Sequence, residues 1–240
     1  MKWKLIQIIT LLIIGVFIIS CQKKEDEDQA TVSAIPVPTT PNIKAANGHF
    51  LAQREFKSSP PYPNKEEGSV GVYFYNMIGL DNAGDVFCNG MKLFTLPYPG
   101  GGVIYGGDSN LNLKGNVTWH VSGSASVQPF SHTVTTGFPY ISEIKGPDTL
   151  TKGMDYTINI DTLTPADSVV FEMHNLKFTA PGNVKSHTFS KNDFDFTNDF
   201  PGSFYPTFIT IYAYTHSAIL VNGKNYYFKN SSLRTRNITR

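Results

Sequence analysis

The segment from Thr207 to His216 places side chains that could do chemistry at the spacing of a β-strand. Alternate residues of a strand point to opposite faces, so Ile209, Ile211 and Ala213 share one face and Phe208, Tyr212, Tyr214 and His216 share the other. With the aliphatic face in a core, the second face presents aromatic rings with polar edges. Such rings stack on the apolar faces of sugars while their hydroxyls bond to the ligand. Phe208, Tyr212, Tyr214 and His216 are therefore the candidate ligand-binding residues, and a glycan is the candidate ligand. The same alternation also suits a strand buried on both faces, one against each layer, and that is its commoner use.

Other candidate chemistry is thinner. Asp193, Asp195, Thr197 and Asp199 fall on every second residue, and oxygen ligands so spaced could serve calcium. Phe194 and Phe196 alternate between them, however, as in a half-buried strand, and the glycine and distal glutamate of an EF-hand loop are missing. The 6 histidines lack the His-x-x-x-His and paired-cysteine spacings of metal sites, although His120, Glu172 and His174 sit on outward strand faces that a sheet could bring together. The glycines at Gly100–Gly102 and Gly106–Gly107 open no helix and lack the lysine and hydroxyl of a phosphate loop. No acid, base and nucleophile converge, so no catalytic residue, no metal and no cofactor is expected.

The elements that must position these residues are strands. From Gly68 onward, short runs of aromatic and β-branched residues are broken by Gly, Asn, Asp and Pro, and no apolar stripe keeps a helical period for three turns. Val70-Val72-Phe74, Val117-Trp119-Val121 and Tyr156-Ile158-Ile160 each have one apolar face and one wetter face, as antiparallel sheets do. Asn89-Gly90 and Asn222-Gly223 predict two-residue hairpins, the first joining strands near Val86 and Leu93, the second joining Ala218–Val221 to Asn225–Phe228. The expected fold is all-β: an antiparallel β-sandwich, immunoglobulin-like or Greek-key. It occupies residues 68–240, either as one domain or as subdomains 68–141 and 142–240.

Ahead of it the chain changes character twice. Residues 21–67 are rich in Pro, Thr, Ser, Lys and Glu and read as a flexible tether, with part of the stretch from Phe50 to Phe56 able to lie against the domain. Residues 1–20 begin with Lys2 and Lys4, continue through an apolar run from Leu5 to Ile19, and end in Ser20 directly before Cys21. That run is shorter than the roughly 20 residues a spanning helix needs, and acidic residues follow it, which fits a secretory signal.

Ile18-Ile19-Ser20-Cys21 resembles a bacterial lipobox, with isoleucine where leucine is more usual. The resemblance implies cleavage before Cys21, lipidation of that cysteine, and a membrane partner reached through the N-terminal lipid. The run Gln22-Lys23-Lys24-Glu25-Asp26-Glu27-Asp28 is similar to the export signal of surface lipoproteins in the Bacteroidota. It implies the outer membrane with the protein displayed on the cell surface, and the periplasmic face is the second choice. Asp148-Thr149-Leu150, Asp161-Thr162-Leu163 and Asp167-Ser168-Val169 resemble O-glycosylation acceptors of the same phylum.

Composition narrows the partners. Lys and Arg number 20 against 19 Asp and Glu, and the leader takes Lys2 and Lys4 with it, so the remainder is near neutral and no nucleic-acid partner is expected. Beyond Cys21 only Cys88 remains, which leaves no intrachain disulfide, so stability must come from an ordinary core. The leading expectation is a non-catalytic, lipid-anchored cell-envelope protein that binds an extracellular ligand, with a polysaccharide favoured. The alternative is a structural or adhesin-like subunit of an envelope complex that recognises protein through sheet edges or loops.

Overall fold

Both Asn-Gly pairs turn the chain as expected. In the computed structural model, which describes residues 46–57, 65–77, 79–99, 101–107, 111, 113–174, 176–194 and 207–239, Asn89 and Gly90 take φ of 48° and 81°, and Asn222 and Gly223 take 48° and 79°. Positive φ at both central residues gives the hairpin turn whose twist matches the strands it joins.

In chain order the strands are β1 (Gly48–Lys57), β2 (Lys65–Phe74), β3 (Val86–Cys88), β4 (Met91–Lys92), β5 (Phe94–Pro97), β6 (Val103–Gly107), β7 (Val117–Val121), β8 (Phe130–Val134), β9 (Ile144–Lys145), β10 (Tyr156–Ile160), β11 (Ser168–Met173), β12 (Leu176–Pro181), β13 (Ser186–Phe189), β14 (Thr207–Val221) and β15 (Lys224–Ile238). Eight of them form one sheet in the order β12-β11-β14-β15-β1-β2-β6-β5. Two smaller sheets, β4-β3-β7-β8 and β13-β10-β9, complete an all-β sandwich. Strands pair antiparallel except where β1 runs parallel to β15, from Gly48 opposite Tyr226 to Lys57 opposite Thr235, and outside the strands an isolated parallel bridge joins Thr149 to Thr239.

The register places both small sheets on the same side of the large one. Ala213 and Ser217 share a face of β14, and their partners Ser232 and Phe228 share that face of β15. Phe228 belongs to a core with Phe50, Phe74, Tyr105 and Tyr226 beneath Val86, Val117, Trp119 and Val121 of the four-stranded sheet. Its rings meet edge-on or offset, with Phe50 centred 5.2 Å from Trp119 and 4.6 Å from Phe228. Ala213 belongs to a second core with Ile209, Ile211, Phe171 and Met173 beneath Ile144, Ile158 and Phe189. Each large apolar side chain so buried stabilises the fold by about 1.5–3 kcal/mol.

Between the cores the large sheet is polar on this same side. Buried Asn230 donates from Nδ2 to the Gly137 carbonyl at 3.1 Å, the Thr215 hydroxyl donates to that carbonyl at 3.2 Å, and Arg234 Nε donates to the Ile141 carbonyl at 3.1 Å. These bonds tie the connection after β8 to the sheet and satisfy the Asn230 amide N–H and the Thr215 hydroxyl, while Asn230 Oδ1 and Ser232 Oγ have no partner among the described residues.

Two sequence-based boundaries are corrected. β1 lies inside the stretch read as tether, yet it is an interior strand whose Phe50 and Ala52 are fully buried, so the folded unit begins before Gly48 and not at Gly68. A division at residue 141 does not separate two subdomains either. β15 gives Tyr226 and Phe228 to the first core and Ile238 to the second. Among the described residues, no helix is long and apolar enough to cross a membrane.

Candidate functional site

The face of the large sheet opposite the two small sheets carries every second residue of its strands. On β14 these are Phe208, Thr210, Tyr212, Tyr214, His216, Ala218 and Leu220, because Ile209, Ile211 and Ala213 are taken by the core. All four predicted ligand-binding residues therefore share one face, and Phe208 and His216 lie roughly 27 Å apart along the strand. Phe208 pairs with Asn237 and is 52% exposed, while Tyr212 is half-buried between Val170 and Leu233. Tyr214, between Ser168 and Ser231, is only 8% exposed.

Tyr214 is covered by a neighbour. Lys229 Nζ stands 4.1 Å from the centre of its ring, a cation–π contact. Burial, and secondarily Lys177, hold the Lys229 ammonium below the ordinary lysine range. His216, opposite Lys229 in the register, has Nδ1 2.9 Å from Asp167 Oδ2, within ion-pair distance though off the line of a hydrogen bond. The same carboxylate oxygen accepts the His216 backbone N–H at 2.7 Å.

From Tyr214 the rings continue across the sheet. His216 is 6.4 Å from Tyr214 and 5.7 Å from Tyr227, Tyr227 is 5.8 Å from His49, His49 is 4.9 Å from Tyr75, and Tyr75 is 6.4 Å from Tyr73. Tyr227 is 3% exposed and its hydroxyl has no hydrogen-bond partner among the described residues. Burial, then Tyr214 and Asp167, push that hydroxyl well above the usual tyrosine range. Burial likewise raises Tyr212, with Glu172 and Glu55 adding to the effect.

The line ends in an exposed apolar patch on β2, β6 and β5. Tyr105 opposes Val72 on the core side, so Ile104 and Tyr73 fall on the outer side, with Leu96 opposite Ile104 and Phe94 opposite Gly106. Gly106 also pairs with Gly71. A Cβ on Gly106 would lie 2.7 Å from Phe94 Cζ, so the missing side chain is what lets the Phe94 ring lie over β6. Phe94, Leu96 and Tyr98 are 50%, 51% and 45% exposed. Sequence reading missed this group. The alternations Tyr73-x-Tyr75 and Phe94-x-Leu96-x-Tyr98 were available, but nothing in the chain announces that β2 and β5 flank β6.

Other candidates stand apart. His120 lies on β7 of the four-stranded sheet, where its Nδ1 is 2.8 Å from Ser131 Oγ, and Glu172 lies on β11 of the large sheet, so that grouping does not form. Asp193 accepts the Ser190 backbone N–H at 2.9 Å in a capping box, while Asp195, Thr197 and Asp199 lie outside the described residues, as does Cys21. Among the described residues, no three His, Cys, Asp or Glu side chains gather as a metal site would require. Thr149 and Thr162 are exposed, whereas Ser168 is buried and so closed to glycosylation in the folded chain. The chain matches no protein-family model, no curated protein and no solved structure.

Proposed function

We propose that this is a non-catalytic, lipid-anchored cell-envelope protein that holds an extracellular glycan on the outer face of its eight-stranded sheet. The observation that carries this reading is the line of rings from Tyr214 to Tyr73 on the face that neither small sheet covers, bounded by Phe208 at one end and Phe94 at the other. The exposed rings of Phe208, Tyr75 and Phe94 and the half-buried rings of Tyr212 and Tyr73 suit successive sugars of a polymer, with the Tyr212, Tyr73 and Tyr75 phenols supplying hydrogen bonds at its edges, while buried Tyr214 and Tyr227 support them from beneath. The anchor rests on the leader and on Cys21, followed by Lys23-Lys24-Glu25-Asp26-Glu27-Asp28, which support the outer membrane and its surface face as the address.

The test is retention of the full chain on immobilised polysaccharides. Exposed Phe208 and half-buried Tyr212 are the positions to change, because Phe208→Ala with Tyr212→Ala removes ring surface and leaves both cores intact. Retention should be lost while the melting temperature moves little. Retention unchanged by the double substitution would remove β14 from the site.

A second reading has its own support. β5 is an edge strand of the large sheet, with Phe94 and Leu96 exposed. Such an edge can accept a strand from another protein, as an adhesin or an assembly subunit would use it. That reading requires a specific partner from the envelope and no glycan retention.

A further inference from the structure

Charge is unevenly spread over the outer face of the large sheet. Strand pairing puts Lys229, Glu55, Glu67, Glu172 and Lys177 in its middle and toward its Thr207 end. The two rows nearest the Asn222-Gly223 turn carry no Asp, Glu, Lys or Arg. Leu220 pairs there with Asn225, and Ala218, Tyr227, His49 and Tyr73 run side by side behind them.

The same end displays apolar side chains. Met77 is 100% exposed on a turn held by Asn76, whose backbone N–H donates to the Gly79 carbonyl at 3.0 Å and whose Oδ1 accepts the Gly79 N–H at 2.7 Å. Leu220 is 67% exposed and Tyr98 45%. Burial, then Tyr73 and Tyr98, raises the Tyr75 hydroxyl, so Tyr98 lies beside the row of tyrosines. Its turn closes with the Tyr98 N–H donating to the Gly102 carbonyl at 3.2 Å, and a Cβ on Gly102 would lie 1.9 Å from the Leu80 carbonyl oxygen, so the two turns pack together. Charged groups at this rim are engaged: Asp81 accepts from Asn76 Nδ2 at 2.6 Å, and Lys224 donates to the Ser126 carbonyl at 2.6 Å.

This is also the end at which the chain enters the fold. Asn47 leads into β1, its N–H donating to the Asn225 carbonyl at 2.7 Å and its carbonyl accepting the Tyr75 N–H at 2.8 Å. Residues 22–46 join it to Cys21, and read as a tether they span about 28 Å on average, against about 50 Å for the 15 residues of β14. A tether makes docking an intramolecular step at about millimolar effective concentration, so a few side chains suffice. Uncharged Met, Leu and Tyr side chains are what the boundary between headgroups and acyl chains accepts. We infer that this end of the sheet rests on the lipid surface that holds the anchor, with Met77, Tyr98 and Leu220 entering its headgroup layer. The inference rests on the lipid-anchor reading above and is independent of the glycan. In that pose β14 stands away from the membrane and carries Phe208 outward.

The experiment places the full chain with its lipid on vesicles of phosphatidylethanolamine and phosphatidylglycerol, with a fluorophore attached through Met77→Cys. The reference site is Met154→Cys, 61% exposed beyond the other end of β14, where the Leu150 N–H donates to the Thr239 carbonyl. Cys88 is buried and stays unlabelled. Lipids brominated on their acyl chains should quench most of the emission at position 77 and little of that at position 154. Leu220→Asp with Tyr98→Ser, both at exposed positions, should bring quenching at position 77 down to the level of position 154 and leave the melting temperature unchanged. Equal quenching at the two positions, on a chain that floats with the vesicles, overturns the docking and leaves the anchor standing. A chain that does not float removes both. Self-quenching at position 77 that rises with surface density, without quenching by bromine, would give the patch to a second copy and overturn the docking as well.

Discussion

Several side chains have protonation states set by burial, and each makes the fold sensitive to pH in a defined direction. His132 sits 4.5 Å from Phe228, its Nε2 is buried without a partner among the described residues, and desolvation holds its pKa below the ordinary 6.5. The unfolded chain therefore takes up the proton first, so this contribution to stability is present above pH 6.5 and is lost as pH falls through 6.5 toward the folded value. His132→Phe should flatten that acid limb in a series of thermal melts, and an unchanged limb would show that another group controls it. The buried tyrosines act at the other extreme. Tyr105, Tyr156, Tyr226 and Tyr227 are all raised above 10.0, first by burial, so their contribution is intact below pH 10 and is lost as pH rises beyond it. Burial also pushes the Cys88 thiol up to about 12. Cys88 should ignore a thiol reagent at pH 8 in the native protein and react only on unfolding.

At the scale of elements, turns were the most legible part of the sequence because their chemistry is local. Asn222-Gly223 announced its hairpin, and a Cβ on Gly223 would meet nothing within 4 Å, so Gly223→Ala should cost only the backbone strain of a φ of 79°. That cost is about 1 kcal/mol, or a fall in melting temperature of about 2–4 °C for a chain of this size. A much larger fall would mean that the turn also carries packing. The length of β14 and β15 was not legible. Lys229, Asn230, Ser231 and Ser232 follow the expected strand Asn225–Phe228 without an apolar residue to extend it, yet Asn230 and Ser232 are buried on the core side of β15, in the polar band between the two cores. β1 was lost for a related reason. Its alternation of Phe50 and Ala52 with His49, Leu51 and Gln53 is weak alone, and the partner that makes it a strand lies at the other end of the chain, Phe50 opposite Phe228. The aromatic face of β14 was readable from alternation, while the patch of Tyr73, Phe94, Leu96 and Tyr98 required the sheet order.

At the scale of the molecule, two cores share one sheet, and β15 runs through both, as a first-core and second-core strand in turn. Damage to one core should therefore be felt in the other. Ile211→Ala empties space in the second core at a cost of about 2–5 kcal/mol. Trp119 lies in the first core and is one of two tryptophans in the chain, the other being Trp3. Its fluorescence should report the lowered midpoint in full, in one transition that coincides with loss of β signal. Two separated transitions would mean that the cores unfold independently. What binds the face of this sheet opposite the two small sheets is read from thermal unfolding of the full chain against a panel of neutral and acidic polysaccharides. A ligand that binds only the folded state must raise the melting temperature. A rise is expected with one glycan class, and it should disappear in the Phe208→Ala, Tyr212→Ala variant. A protein that melts cooperatively and shifts with no member of the panel would contradict it and favour the protein-binding edge of β5.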